Sequence, residues 1–255
     1  MTTTELLWKV PCAGVPIAAC QPRDALNEVV RLATRAGSGA DVHLCNAYTL
    51  AHADADYAYK QMLRAATLNL PDGTSVVWAN RLRFGHRVPA RRVYGPDLFL
   101  DVLGCNATKG LRHYLLGGSP EVLADLEGEI RRRFPAARLV GAESPPFRTM
   151  TAAERQAQRA RLLGSGANVV WVGLGTPRQD WVCAELAAVV PAVFVAVGAA
   201  FDFIAGAKRQ APILMQRSGL EWIFRLATEP RRLWKRYLFG NLRFLQAALL
   251  GWVRD

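Results

Sequence analysis

Polar side chains that directly follow predicted strands are the residues of this sequence best suited to chemistry. Asp72 stands in Leu70-Pro-Asp-Gly73, where a carboxylate at a strand tip could accept the proton of a ligand hydroxyl. Asp-Gly is also among the commonest turn pairs, and on local sequence alone a turn is favoured. Asn46 could hydrogen-bond a hydroxylated ligand or merely cap the helix that follows it. Asp97 and Asp202 are further candidates, each equally plausible as a cap or turn residue.

Glycine-containing turns after three predicted strands could bind a diphosphate. They are Leu70-Pro-Asp-Gly73, Leu116-Gly-Gly-Ser-Pro120 and Gly173-Leu-Gly-Thr-Pro177. Such turns place backbone N–H groups at a helix N-terminus, where negative charge is favoured. Gly73, Gly173 and Gly175 are therefore candidate ligand contacts. Any α/β protein has turns of this kind, however, and none here is a Walker loop or a complete GxGxxG fingerprint.

The sequence predicts no metal or cofactor site. Asp54-Ala-Asp56 matches the DxD pattern that can hold a divalent metal on a diphosphate. It falls inside a predicted helix, where positions two apart point in different directions and cannot grip one metal, so a solvated helix face is expected. The histidines are scattered, and His43 and His113 lie in predicted strands as core residues rather than ligands.

The elements that must position these residues alternate between helix and strand. Strands are predicted at about 41–46, 67–70, 111–116, 138–141, 168–173 and 193–197, with helices between them. This alternation predicts an α/β fold with a mostly parallel sheet and helices on both faces. From about Gly206 strands cease, and we expect a core of residues 1–208 and a helical appendage of residues 209–255.

The C-terminal segment is basic and aromatic. The chain has a formal net charge of +11, which argues for anionic partners, and residues 217–255 hold eight Lys and Arg against three Asp and Glu. Aromatic and leucine residues recur near helical spacing among arginines, at Trp234, Tyr237, Leu238, Leu245, Leu249 and Trp252. The pattern suits the headgroup layer of an anionic membrane. An ordinary C-terminal helix with solvated arginines is the alternative.

Cysteine use and hydropathy predict the compartment. The five cysteines are an odd number without a CxxC pair, which is typical of a reduced, cytoplasmic protein. The N-terminal residues lack the pattern of a secretory signal. The longest uncharged stretch, Leu186 to Phe201, has 16 residues, whereas a spanning helix needs about 20. We therefore expect a cytoplasmic protein, peripheral on the inner face of the cell membrane.

Several motifs in order resemble one enzyme family. They are Asn46, Leu70-Pro-Asp-Gly73, Arg92-Val-Tyr-Gly-Pro-Asp97, Gly173-Leu-Gly-Thr-Pro-Arg-Gln-Asp-Trp181, Val197-Gly-Ala-Ala-Phe-Asp-Phe203 and Gly219-Leu-Glu-Trp-Ile-Phe-Arg225 with Glu229-Pro-Arg-Arg232 and Arg236-Tyr237. From about Asp41 to Leu242 the chain resembles the WecG/TagA/CpsF glycosyltransferases, glycosyltransferase family 26. The resemblance implies a Rossmann-like core with a C-terminal membrane-binding appendage. It also implies inverting transfer of a hexose or hexosamine derivative from a UDP-sugar to an undecaprenyl-diphosphate-linked saccharide, without an obligatory metal.

The resemblance also assigns roles to residues. Asp72 matches the proposed general base of the family, which favours catalysis over the turn alternative. Asn46 and Gln179 match donor-pocket positions, and Arg92 is a looser match in the motif that Asp97 closes. The arginines that match appendage positions thought to meet phosphates are Arg225, Arg232 and Arg236.

Two departures and two rival hypotheses accompany the resemblance. Leu44 stands where family members often have Thr, and Asp180 where they often have Glu. The first departure removes a hydroxyl that could contact the donor, so the identity of the donor sugar stays open. A basic nucleic-acid-binding module would also be cationic, but the sequence carries no recognised motif of that class, and we expect no nucleic acid partner. A non-catalytic membrane-surface scaffold is the second rival. A homo-oligomer is possible.

Overall fold

A computed structural model describes residues 7–35, 37–85, 91–105 and 110–254, without the side chains at positions 217, 232, 235, 236 and 250–254. The strands are β1 (Lys9–Cys12), β2 (Val15–Ala18), β3 (Ala40–Cys45), β4 (Leu68–Pro71), β5 (Arg112–Gly117), β6 (Arg138–Glu143), β7 (Val169–Gly173) and β8 (Val193–Ala196). The helices are α1 (Pro22–Thr34), α2 (Ala47–Ala55), α3 (Tyr57–Ala65), α4 (Thr74–Phe84), α5 (Gly95–Gly104), α6 (Pro120–Arg133), α7 (Ala152–Ser165), α8 (Arg178–Ala187), α9 (Ala200–Ile204), α10 (Ile213–Ser218), α11 (Glu221–Thr228) and α12 (Pro230–Arg254).

Six of the strands form one sheet, in the order β4-β3-β8-β7-β5-β6. The pairings of β3 with β8, β8 with β7, β7 with β5 and β5 with β6 are all parallel. Parallel neighbours need crossover connections, and the helices between the strands supply them. The predicted α/β fold with a largely parallel sheet is confirmed.

The central strand β7 shows that both faces of the sheet are covered. Successive side chains on a strand point to opposite faces. On one face Val170 and Val172 join an apolar cluster with residues of α7 and α8, including Leu162 and Leu186. On the other face the ring of Trp171 packs edge-on against Phe99 of α5, with ring centroids 4.8 Å apart. Because helices cover both faces of the sheet, the sequences of the strands are continuous apolar runs.

The chain divides into two compact units. The first consists of the residues up to Ala25, Leu44–Tyr94 and the residues from Gln210 onward. The second consists of Leu26–His43 and Gly95–Arg209. The predicted start of the appendage, residue 209, lies at the end of the second unit. The division into a core of 1–208 and an appendage of 209–255 stays a prediction.

Two local features differ from the sequence-based expectation. β1 and β2 form an antiparallel hairpin that was not predicted. The helix expected from about Tyr48 is two helices, and Asp56 lies between them, where its carboxylate accepts a hydrogen bond from the backbone of Tyr59. The placement of the whole Asp54-Ala-Asp56 motif inside a helix was therefore wrong, because an N-cap at Asp56 starts a new helix. Asp54 instead pairs with Arg243 at 2.9 Å.

The C-terminal segment is helical, as expected from the loss of strand patterns after Gly206. α12 packs against α2, with Leu233, Phe244, Ala247 and Ala248 buried. In the described part of the chain, no helix combines the length and apolar composition needed to cross a bilayer.

Candidate active site

The ends of β3 and β4 bring the two leading polar candidates together. The backbone N–H of Asp72 donates to the carbonyl of Cys45 at 2.9 Å, so Asp72 lies beside the last residue of β3. Asn46 follows Cys45 directly. Gly73 has a φ of +111°, a conformation that side chains rarely adopt, and it turns the chain into α4. The two strands thus present a carboxylate and an amide at one edge.

Asn46 caps α2. Its Oδ1 accepts hydrogen bonds from the backbone N–H groups of Tyr48 and Thr49, at 3.0 and 3.2 Å. The capping alternative raised from the sequence is therefore realised. Because the cap uses Oδ1, the NH₂ group is the end of this side chain that can donate to a ligand. Asn46 also lines the pocket described below, so capping and ligand contact are compatible.

Arg92 links Asp72 to a second carboxylate. Its Nε lies 3.4 Å from Oδ1 of Asp72, and its Nη2 donates to Oε2 of Glu221 at 2.7 Å. The guanidinium stacks over the ring of Tyr94, 4.1 Å from the ring centroid. Arg92 and Glu221 are 18% and 10% exposed. The four side chains form a fixed, largely dehydrated group rather than a surface ion pair.

The pKa of the Asp72 carboxyl is raised above its ordinary value. Burial is the largest cause, and the negative charge of Glu221 acts in the same direction. Arg92 and Arg225 act in the opposite direction and reduce the shift. A carboxylate with a raised pKa is a stronger base, which is the property that proton abstraction from a hydroxyl requires.

A pocket opens over these groups, with a cavity volume of about 340 Å³. Asn46, Asp72, Gly73, Arg92 and Arg225 all line it. The rest of its wall is mainly aromatic or small, and includes Tyr48, Thr74, Ser75, Trp78, Gly219, Glu221, Trp222, Tyr237, Asn241, Phe244 and Leu245. Concave sites with a few convergent polar groups among aromatic side chains are the usual form of a ligand site.

Two glycines bring the C-terminal segment close to this pocket. A Cβ at Gly219 would lie 2.5 Å from Oγ1 of Thr74, and Gly219 has a φ of +78°. A Cβ at Gly240 in α12 would lie 3.4 Å from the ring of Tyr48. A side chain at Gly219 would overlap Thr74 of α4, whereas a methyl group at Gly240 would only make contact with Tyr48 of α2, and a larger side chain would be needed to separate the helices there. The C-terminal helices therefore supply one wall of the pocket.

The other glycine candidates and Gln179 lie in the second unit. Gly117 and Gly173 pair in register on β5 and β7, so their turns are adjacent, as expected. Gln179 is buried, and its Oε1 accepts from the backbone of Gly175 at 3.0 Å. Gln179 thus closes the turn that follows β7. Asp97 is exposed in the first turn of α5, and Asp202 pairs with Lys208 at 2.7 Å.

His43 and His113 are buried, as the strand positions predicted. His43 lies between two carboxylates, with Nδ1 3.0 Å from Asp180 and Nε2 3.0 Å from Asp41. Burial lowers the pKa of His43, but the hydrogen bonds and charges of Asp180 and Asp41 outweigh it and raise the pKa to about 9. Burial lowers the pKa of His113 to about 4. Nδ1 of His113 accepts from the indole of Trp171.

Four residues around the pocket were not predicted as site residues from the sequence, namely Glu221, Tyr94, Trp78 and Trp222. Glu221 stands in the Gly219–Arg225 motif and is acidic within a basic segment, but neither signal indicates that its partner is Arg92. The side chains of the predicted phosphate contacts Arg232 and Arg236 lie outside the described residues. Among the residues described, no group of three or more His, Cys, Asp or Glu side chains could hold a metal.

The geometry provides a carboxylate with a raised pKa, two guanidinium groups and an aromatic wall around one pocket. A base beside cationic groups suits a displacement in which a hydroxyl loses its proton while an anionic group departs. A family model for the glycosyl transferase WecG/TagA/CpsF family matches residues 10–255. The chain therefore belongs to the WecG/TagA/CpsF family of glycosyltransferases, enzymes of cell-surface polysaccharide synthesis.

Proposed function

We propose that this glycosyltransferase inverts the anomeric centre of a hexose or hexosamine derivative as it moves the sugar from UDP to an undecaprenyl-diphosphate-linked saccharide. The observation that carries the proposal is Asp72, a partly buried carboxylate with a raised pKa in a pocket that also holds Arg92 and Arg225. A sugar-nucleotide donor needs a hydroxyl activated by a base and a diphosphate stabilised as it leaves.

The proposed reaction is a single displacement. Asp72 accepts the proton of the acceptor hydroxyl, whose oxygen bonds to the anomeric carbon from the face opposite UDP. The bond to the UDP oxygen breaks, and UDP leaves as an anion stabilised by guanidinium groups and turn amides. Such a reaction forms no covalent intermediate with the enzyme. The NH₂ group of Asn46 is available to orient the donor.

The charge balance of the pocket supports a role for two further arginines, Arg232 and Arg236. The acidic and basic side chains among the pocket residues are Asp72, Glu221, Arg92 and Arg225, so the charges cancel. A diphosphate bound there calls for further cations. Arg236 precedes the pocket residue Tyr237 on α12, and Arg232 lies one helical turn earlier. We propose that both contact donor or acceptor phosphates, and that Gly173, Gly175, Gln179 and Asp97 contribute to substrate binding.

Replacement of Asp72 tests the proposed chemistry. Asp72→Asn keeps the shape of the side chain but removes the base, and we expect transfer to fall by a factor of about 10² to 10⁴. Transfer from a UDP-sugar to a synthetic polyprenyl-diphosphate saccharide is followed by mass spectrometry, and UDP binding is measured by calorimetry. Asp101→Asn, an exposed position on α5, is the matched control. A folded Asp72→Asn protein that binds UDP and transfers sugar at the wild-type rate would refute the proposal.

A second part of the proposal concerns the membrane. The outward face of α12 carries apolar side chains at helical spacing, each between 45% and 61% exposed: Trp234, Leu238, Phe239, Leu242, Leu245 and Leu249. Ile213, Leu214 and Leu82 of the same unit are also exposed. An apolar stripe of this size flanked by arginines favours the interface of an anionic bilayer. We propose that this face docks the enzyme on the inner surface of the cell membrane.

Point changes on α12 test docking without removing its packed face. Leu238→Glu combined with Leu242→Glu adds two negative charges and removes two apolar contacts, so binding to vesicles of anionic phospholipid should fall at least about tenfold. Leu163→Glu, 45% exposed on α7 in the second unit, is the control. Unchanged sedimentation of the double variant with vesicles would show that another surface docks.

The donor sugar and the assembly state follow from separate measurements. A panel of UDP-sugars with one acceptor, analysed by mass spectrometry, identifies the preferred donor. Light scattering tests whether the enzyme forms a homo-oligomer. The rival nucleic-acid module predicts salt-dependent binding to generic DNA without UDP affinity, and a silent scaffold predicts that Asp72→Asn changes nothing.

A further inference from the structure

Arg92 is shared unequally between two carboxylates. Its Nη2 lies 2.7 Å from Oε2 of Glu221, whereas its Nε lies 3.4 Å from Oδ1 of Asp72. The first distance is that of a full charge-assisted hydrogen bond, and the second exceeds the normal range of such bonds. Glu221 therefore makes the stronger interaction with Arg92, although Asp72 is the predicted catalytic group.

The arrangement around Arg92 is fixed from several sides. The ring of Tyr94 lies beneath the guanidinium, and the Tyr94 hydroxyl lies 3.4 Å from Oε1 of Glu221. That hydroxyl accepts a hydrogen bond from Nε2 of Gln210 at 2.9 Å. Nη1 of Arg92 faces the carbonyl of Gln216 at 3.4 Å. These contacts hold the guanidinium plane toward Glu221.

We propose that Glu221 is a positioning residue for sugar transfer, holding Arg92 out of a full ion pair with Asp72 so that this carboxylate stays available to the acceptor proton. The inference rests on the proposed function. With Glu221 neutral, Arg92 turns to Asp72, occupies its lone pairs and makes it a weaker base. The charged groups that face Asp72 are Arg92, Glu221 and Arg225.

The position of Glu221 links the catalytic carboxylate to the C-terminal helices. Glu221 is the first residue of α11, in the same C-terminal segment as the proposed membrane-docking helix. Asp72 consequently keeps its raised basicity only when this C-terminal segment places Glu221 against Arg92. Sequence motifs that assign Asp72 alone miss this dependence.

Glu221→Gln is the decisive change, because it keeps the size and the acceptor oxygen but removes the charge. We expect the acid limb of the kcat/KM profile to move to lower pH by about one pH unit, and kcat to fall about tenfold. The KM for the UDP-sugar should stay within about twofold of wild type. Glu221→Asp, which keeps the charge, should restore the acid limb.

Matched variants separate positioning from structure. Glu229→Gln, the same change at the C-terminal end of α11, should leave the profile unchanged. If circular dichroism shows that Glu221→Gln does not fold, Tyr94→Phe serves instead, with a smaller shift in the same direction expected. An acid limb that stays in place or moves to higher pH in the folded variant overturns the inference. If Asp72→Asn is inactive while Glu221→Gln keeps the wild-type profile, only this inference fails. If Asp72→Asn remains fully active, the proposed function fails as well.

Discussion

The buried His43 cluster predicts that the enzyme loses stability as the pH rises from 6 to 8. His43 is fully buried between Asp180 and Asp41, and its pKa is raised to about 9. An unfolded histidine has a pKa of about 6.5. A group with a raised folded pKa contributes stability that is complete below the unfolded pKa and is lost as pH rises through the folded pKa.

The size of the effect follows from the difference between the two pKa values. A difference of about 2.5 pKa units, at roughly 1.4 kcal/mol per unit, gives about 3 kcal/mol at low pH, of which about 2 kcal/mol disappears between pH 6 and 8. His113, whose pKa is lowered to about 4, has the opposite pH dependence and regains about 1 kcal/mol in this window, so the expected net loss is about 1 kcal/mol. Cysteine thiols, with an ordinary pKa of about 8.5, remain largely protonated in this window. Urea denaturation at pH 6, 7 and 8 measures the free energy of unfolding.

An Asp180→Asn variant isolates the contribution of the cluster. Asn can still accept the hydrogen bond from Nδ1 of His43, but one of the two charges is gone. The loss of stability between pH 6 and 8 should therefore shrink by about 1 kcal/mol. Asp202→Asn, which removes a surface pair with Lys208, should keep the wild-type pH dependence. The reasoning would be refuted if the free energy of unfolding fell equally with pH in the wild type and in Asp180→Asn, or if it rose with pH in the wild type.

Three further predictions concern backbone positions and a cap. Gly73→Ala should lower the free energy of unfolding by about 1 to 2 kcal/mol, because any residue with a side chain is strained at a φ of +111°. It should also reduce transfer, because Gly73 adjoins Asp72. Thermal melting and the transfer assay measure the two effects. Gly39→Ala should lower the free energy of unfolding by about 3 kcal/mol or prevent soluble expression, because its Cβ would overlap the backbone carbonyl of Ala187. Gly37→Ala is the control without a steric clash, because no atom lies near its Cβ position. Asp56→Ala should cost about 1 kcal/mol in urea denaturation by removing the N-cap of α3, and an unchanged midpoint would contradict that role.

The fold was predictable wherever burial leaves a local pattern. β7 and β8 are covered on both faces, so nearly every residue is apolar and the strand is evident. The β1–β2 hairpin was missed because Pro11 and Pro16 argue against strands, although both lie in an edge pairing that tolerates proline. The break at Asp56 was missed because an Asp within a polar helical stretch looks like a surface residue until its capping geometry is seen.

The site was predictable only in part, because its parts are far apart in sequence. Asp72 and Asn46 follow adjacent strands, and strand ends can be located from the sequence. The partnership of Arg92 with Glu221 joins residues separated by 129 positions, and no local pattern indicates it. Glu221 acts through its place in three dimensions. A carboxylate that looks like an exception in a basic segment is the partner of a half-buried arginine.

The order of the two compact units along the chain has a consequence for biosynthesis. Domains tend to form as they emerge during translation, and contacts between distant residues form late. The ribosome releases all of the second unit before Gln210, whereas the first unit needs residues on both sides of it. The pocket around Asp72 is thus completed only when α11 and α12 have been made. A nascent chain can therefore build its parallel sheet before the C-terminal helices have completed the wall of the pocket around Asp72.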